Sequence, residues 1–323
     1  MIPGGAPGHA RGTSRKAARS KRAPAHNRVF VVLFGTIGLL AIVVAWLGTR
    51  QDSRSGAESD LIARLRSSDG MARATAANAL GRRSNVSVAA VRELAALLED
   101  PNVEPRSEAA AALISIGRGN VPAGDSVIGT VTSRLANATS PARVLAAQIL
   151  GQLGVRSAMA TRHLVSAMRT PDDSLRAAAA AALGQIGVAD STVLPAVNIA
   201  LGDRMPEVRA AAVGTLARLQ PDAAADSAAR LALEDESPLV RLEAVYALRT
   251  TGRYQASVER AFRGALRDPV PEVRRAAALA FAQHGHRARS AHAALVEALT
   301  DSVESVRQAA ARALQLVAGE RLQ

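Results

Sequence analysis

The chain contains no cysteine, which removes disulfides, thiolate metal centres and cysteine nucleophiles and leaves the redox compartment unread. Aromatic residues are nearly as scarce: one Trp, two Tyr and four Phe in 323 residues, although 48% of the chain is hydrophobic. The apolar volume must then come from alanine, leucine and valine, which suits closely packed helices better than a β-sandwich. Acids are absent from residues 1–28, which hold seven of the forty basic residues. Residues 58–323 hold 31 arginines against 27 acids, a difference of only +4 out of the net +12. The basicity is therefore mostly a property of the first fifty-odd residues rather than of the larger region.

After the basic tail comes VFVVLFGTIGLLAIVVAWLG, Val29–Gly48, which carries no charge. At ~1.5 Å rise per residue it would span about 30 Å, the thickness of a bilayer's hydrocarbon core. Trp46 stands near its far end, where an interfacial aromatic belongs. The segment reads as a transmembrane helix after a disordered cytoplasmic tail (1–28) and before a polar linker (49–57). A cleaved signal peptide, with Val43-Val44-Ala45 at the cleavage site, is the rival reading. Arg11, Arg15, Lys16, Arg19, Lys21, Arg22 and Arg28 precede the segment and Arg50, Arg54, Arg64 and Arg66 follow it. That bias predicts a single-pass cell-membrane protein with its N-terminus in the cytoplasm and the remainder extracytoplasmic, or periplasmic where a periplasm exists.

From residue 58 onward one phrase recurs. Aligned arginines stand at Arg73, Arg106, Arg143, Arg176, Arg209, Arg241, Arg274 and Arg307, 32 or 33 residues apart except for one gap of 37. Three residues after each is an alanine, and seven after each is a leucine or, once, Phe281. The apolar positions after each arginine form one stripe of an α-helix. Stretches such as VRELAALLED and AHAALVEALTD supply a partner helix before it, with Asp, Ser and Pro between the two to stop the first and cap the second. One such hairpin buries too little apolar surface to offset the ordering of its backbone, so eight of them must stack into a curved solenoid. Alanine at the shared positions lets the helix backbones approach closely.

This pattern over residues 58–323 resembles the HEAT-like repeat family of the phycobilisome-lyase type. The resemblance implies an all-α, right-handed α-solenoid of about eight hairpins. It also implies a hydrogen-bonded ladder between the inter-helix Asp and the second-helix Arg. Asp100, Asp203, Asp235, Asp268 and Asp301 each stand six residues before an aligned arginine and can take that role, which would make Asp235 the partner of Arg241. Ser67, Asn137 and Thr170 replace Asp elsewhere, so the ladder should weaken there. Arg253 lies outside the aligned pattern, and its removal is expected to be nearly neutral.

Some relatives on this scaffold are enzymes, but no His-Glu dipeptide of the deoxyhypusine hydroxylase kind exists here, and no residue set transfers from the bilin lyases. A basic concave face rich in aromatics, as in the repeat-built DNA glycosylases, is also missing; only Tyr246, Tyr254, Phe262 and Phe281 fall in the repeats. The best metal candidate is His284, His286 and His292 in HGHRARSAH, although His284 occupies a position that is Ile116, Leu153 or Ile186 in other repeats. GRGNVPAGDS, 117–126, accounts for the 37-residue gap and reads as an enlarged turn. The reading is a membrane-anchored, non-catalytic scaffold, bacterial by its Ala/Arg-rich composition, that holds a protein partner on its concave side. Gln148, Gln152, Gln185, Arg218, Tyr246, Arg249 and Gln283 are the candidate contact residues, with membrane association through Val29–Gly48. No catalytic residue, cofactor, metal, nucleic acid or small-molecule substrate is expected. The alternative is a lyase-like or chaperone-like enzyme subunit acting on a bound protein client.

Overall fold

The structure is a computed structural model that describes residues 56–319, apart from 120, 221 and 222. The chain divides into two units, Met1–Gly56 and Ala57–Gln323, and the second is described here. Its described residues form eight helical hairpins and no strand. Helix α1 (56–65) pairs with α2 (Gly70–Gly81), α3 (Val88–Ala96) with α4 (Val103–Arg118), and α5 (Val121–Asn137) with α6 (Ser140–Gln152). Then α7 (Thr161–Ala167) pairs with α8 (Asp173–Ile186), α9 (Val193–Ala200) with α10 (Pro206–Leu219), and α11 (Ala223–Ala232) with α12 (Pro238–Thr250). Finally α13 (Ala256–Ala265) pairs with α14 (Pro271–His284), and α15 (His292–Ala298) with α16 (Glu304–Ala318).

The breaks between paired helices follow from local chemistry. Asp69, Ser87 and Asp172 accept backbone N–H groups at the starts of α2, α3 and α8, satisfying donors the helix leaves free. Helices α10, α12 and α14 instead begin on proline, and α6 has Pro141 second, where the missing N–H costs nothing in the first turn. The core forms two clusters of mostly Ala, Leu, Val and Ile, one running from the first hairpin to α10 and one from α10 to α16, and in the second Phe262 lies edge-on to Phe281 at 5.6 Å.

The ladder is present, and its direction differs from the sequence-based assignment. Arg73, Arg176, Arg209, Arg241 and Arg274 each donate from Nε and Nη2 to both oxygens of Asp100, Asp203, Asp235, Asp268 and Asp301 respectively, at 2.6–3.0 Å. Each carboxylate therefore belongs to the hairpin after its arginine. The remaining nitrogen, Nη1, turns back to the carbonyl six residues earlier in its own hairpin, so Arg241 holds the Asp235 backbone while Arg209 holds its side chain. The aspartate completes the joint by accepting the N–H two residues on, as Asp203 does from Met205. In the Arg73–Asp100 rung the side chains are only 11% and 5% exposed. Hydrogen bonds from the arginines hold the carboxyls of Asp100, Asp203, Asp235 and Asp301 below their ordinary range. Burial works to raise that of Asp268, but the bonds from Arg241 and the Val270 N–H outweigh it.

The rungs fail where the acid is absent. Arg106 faces a hairpin with Asn137 at the acid position, and Arg143 one with Thr170; neither reaches a carboxylate, and Arg143 caps the Leu135 carbonyl instead. Ser140 donating to Asp172 provides a substitute tie between the third and fourth hairpins.

Two further expectations are corrected. Residues 117–126 are not an enlarged turn: α4 runs through Arg118 and α5 begins at Val121, so the extra residues lengthen α5 to 17 residues where the other first helices have 7 to 10. The single-pass membrane placement is also not upheld. Among the described residues no helix is long and apolar enough to cross a membrane. Even α5, the longest, carries Asp125 and Arg134. The tail, Val29–Gly48 and residues 49–55 lie outside the described residues, and residues 56 and 57, expected in the linker, already belong to α1.

Arg241→Ala should strand the Asp268 carboxylate and release the Asp235 carbonyl, costing on the order of 1–3 kcal/mol. Arg143→Ala breaks no rung and should cost under about 1 kcal/mol. Urea denaturation midpoints that shift equally in the two variants would remove the structural role given to the rung.

Candidate functional site

Except between the second and third hairpins, the second helices pack against one another more closely than the first helices do. Small residues permit it: a Cβ on Gly81 would lie 2.8 Å from the Ala112 Cα, and one on Gly184 3.0 Å from the Thr215 Cα. The layer with the closer spacing lies inside the curve, so the free sides of α2, α4, α6, α8, α10, α12, α14 and α16 form the concave face.

On that face a cleft of about 380 Å³ opens across α10, α12 and α14, lined by Gly214, Arg218, Glu243, Tyr246, Ala247, Arg249, Thr250 and Leu279. Gly214 makes the room. A Cβ there would come 2.1 Å from Glu243 Oε1, so the carboxyl lies directly over the bare backbone. Burial pushes the Glu243 carboxyl above its ordinary range, against the pull of Arg218. Arg249 is stacked on Tyr246, its Cζ 5.1 Å from the ring centroid, which fixes both side chains as one platform. Thr250 donates to the Tyr246 carbonyl at 2.8 Å. The cleft thus combines an aromatic face, two guanidinium groups and one acid that is easily protonated.

Of the seven expected contact residues, Arg218, Tyr246 and Arg249 come together here. Gln148 and Gln152 on α6, Gln185 on α8 and Gln283 on α14 are exposed but do not line the cleft. The Gln152 amide oxygen is already held by Arg118, at 2.6 Å. Sequence reasoning missed Glu243 and Gly214. Glu243 lies three residues before Tyr246, one helical turn away on the same stripe, and that spacing could have found it.

The histidines do not converge. His286 and His292 are exposed, while His284 is 8% exposed and its ring lies between Tyr254 (4.6 Å) and Phe262 (6.1 Å). Among the described residues no group of three or more His, Asp or Glu could hold a metal, so the metal candidate is dropped. His284 fills the core position that Ile116 and Ile186 fill elsewhere. Its Nε2 has no hydrogen-bond partner, and burial, aided by Arg287, holds the imidazole below its ordinary range.

Arg253 is also not neutral. Asp226, 2% exposed on α11, accepts from Thr251 Oγ1 and Arg253 Nε at 3.0 Å and from Gln255 Nε2 at 3.2 Å. Arg253 is the cation of a buried carboxylate, placed in the α12–α13 loop beyond the reach of any periodicity.

The family described as HEAT repeats matches residues 193–262 and 259–321. The match falls on hairpins five to eight. The match covers most of the stretch in which the ladder is unbroken, and the hairpins before it repeat the same arginine register. No curated protein matches the chain. Among solved structures, Escherichia coli YibA is similar in fold at 18% identity, over 77% of this chain and 87% of its own, with a TM-score of 0.55. An engineered protein (22% identity, 81% and 78% covered) and the CpcE–CpcF complex of phycocyanin lyase from Nostoc sp. PCC7120 (21%, 80% and 94%) are looser likenesses, each with a TM-score of 0.45, and carry no argument.

Two measurements follow from these buried groups. Arg253→Ala should cost about 1–3 kcal/mol by leaving the Asp226 charge unpaired; a denaturation midpoint unchanged from the parent would contradict the pairing. For His284, the folded state favours the neutral ring. Its contribution is complete above about pH 6.5, the unfolded value, and is lost as the pH falls from there through the depressed folded value. His284→Gln should flatten the loss of stability between about pH 7 and about pH 5; identical slopes in parent and variant would refute the buried neutral imidazole.

Proposed function

We propose that the HEAT-repeat unit is a non-catalytic scaffold that holds a segment of a partner protein along its concave face. The cleft around Tyr246 carries this reading. A rigid aromatic–arginine pair beside a small apolar floor is the composition that dominates protein-binding energetics, because it combines large contact area with few freely rotating bonds. Arg218 and Arg249 suit an acidic side chain on the partner, and Tyr246 with Leu279 an apolar one. Presentation rather than turnover fits the polar groups present: the Thr250 hydroxyl is engaged with a backbone carbonyl, so Glu243 has no activated nucleophile beside it.

The test is site-specific photocrosslinking in the native cell. A photoreactive residue at 218 or 246 should give an adduct with one and the same protein, and at the outer positions 162 or 297 none. With that partner purified, Tyr246→Ala combined with Arg249→Ala should weaken Kd by roughly thirtyfold, the factor corresponding to a ~2 kcal/mol hot spot. Adducts only from the outer positions, or unchanged affinity in the double variant, would place the interaction elsewhere.

A further inference from the structure

Glu243 lines the cleft assigned above to a partner protein, yet among the described residues it has no hydrogen bond and no ion pair. Its Oε1 and the Nη1 of Arg218 lie 2.1 and 3.4 Å from the point where a Gly214 side chain would begin. The two groups are therefore neighbours across α10 and α12 without being paired. The rest of the surroundings carry little charge. Tyr246 and Arg249 follow on its own helix, α14 brings only the apolar Leu279, and α11 and α13 bring no side chain to the cleft. Arg249 is stacked on the Tyr246 ring and, like Arg218, is bonded to no carboxylate among the described residues.

Two guanidinium groups without counter-ions and one acid thus share an opening of about 380 Å³. On the first-helix side, by contrast, Arg134 pairs with Glu99 and Arg267 with Glu297. A carboxylate from the partner supplies what Arg218 and Arg249 lack. It also arrives next to Glu243, and two carboxylates that share a site do not both stay ionised at low cost. One proton removes the conflict. Glu243 is the group that takes it, since burial already pushes its carboxyl above the ordinary range. The incoming acid instead gains two cations, which hold its own proton off.

We infer that the cleft captures an acidic side chain of the partner on Arg218 and Arg249, with Glu243 as a proton-controlled gate on that capture. The gate presupposes the concave-face scaffold proposed above and adds its regulation. Ionised, Glu243 repels the incoming carboxylate and competes with it for Arg218. Protonated, it turns from acceptor to donor, and its O–H serves the carboxylate as a further hydrogen bond. Binding therefore takes up one proton, which comes from solvent and stays on Glu243. Affinity accordingly rises as the pH falls through the range in which Glu243 protonates. An aspartate on the partner, with an ordinary value of about 3.9, remains charged over that range.

The full chain is titrated with a rhodamine-labelled peptide of alternating leucine and aspartate, and with its leucine–asparagine counterpart. Both are acetylated and amidated, so that side chains carry the only carboxylates. The aspartate peptide should bind about tenfold more tightly at about pH 5 than at about pH 8, and calorimetry should register proton uptake. The asparagine peptide should bind weakly with no such slope. Glu243→Gln should bind the aspartate peptide at about pH 8 as the parent does at about pH 5, and lose the slope. Arg218→Gln should bind it more weakly at every pH and shift the slope upward, because the cation that favours ionised Glu243 is gone. A parent affinity that ignores pH, a Glu243→Gln variant that keeps the slope, or an asparagine peptide bound as tightly as the aspartate one would overturn the gate. The scaffold itself stands or falls on the crosslinks from positions 218 and 246, so the two fail separately.

Discussion

One guanidinium per hairpin decides how this solenoid holds together. Each rung arginine binds two partners that cannot be supplied by one repeat, the loop carbonyl of its own hairpin and the carboxylate of the next. The bond pattern is bidentate and largely shielded from water, so its geometry is fixed and its loss leaves a buried charge. A rung can form only when two hairpins are already stacked, which turns a local sequence phrase into coupling between neighbours.

That dependence explains what could be read from the sequence. The period, the helical stripes and the identity of the rung residues were legible because the arginine and its apolar stripe repeat eight times and the aspartate stands at the same offset in five of them. The direction of the rung was not. Asp235 is equally compatible with Arg209 and Arg241 in sequence, and only the stacked geometry shows that one takes its side chain and the other its carbonyl. The 117–126 segment misled because Gly and Pro were read as a turn, whereas the added residues extend α5 with Pro122 in its first turn. Arg253 and Asp226 form a single, unrepeated contact, so no periodicity marks them.

The site shows the same division. Tyr246 and Arg249 were both among the expected contact residues, and they stack on each other. Glu243 and Gly214 matter as much to the cleft, but their roles arise from facing helices: a missing Cβ on α10 makes the space that the acid on α12 occupies. His284 illustrates the reverse case. Three histidines within nine residues suggest convergence, yet the turn after α14 directs one ring into the core between Tyr254 and Phe262 and leaves the other two in solvent.

A joint shared between neighbours has an implication for how such a chain can change length. Because each arginine supplies the following unit and each aspartate receives from the preceding one, a stretch excised or copied between equivalent points of two hairpins carries half a rung at each cut. The halves are complementary wherever both units keep Arg and Asp, as from the fifth hairpin to the eighth. Unequal crossing-over within that stretch would rejoin at a working joint and add or remove a whole unit without a faulty seam. Around the third hairpin it would not, since Asn137 and Thr170 carry no matching half. The stretch with the unbroken ladder is therefore the part of the gene free to grow or shrink by whole units, and the third hairpin is held to a single copy.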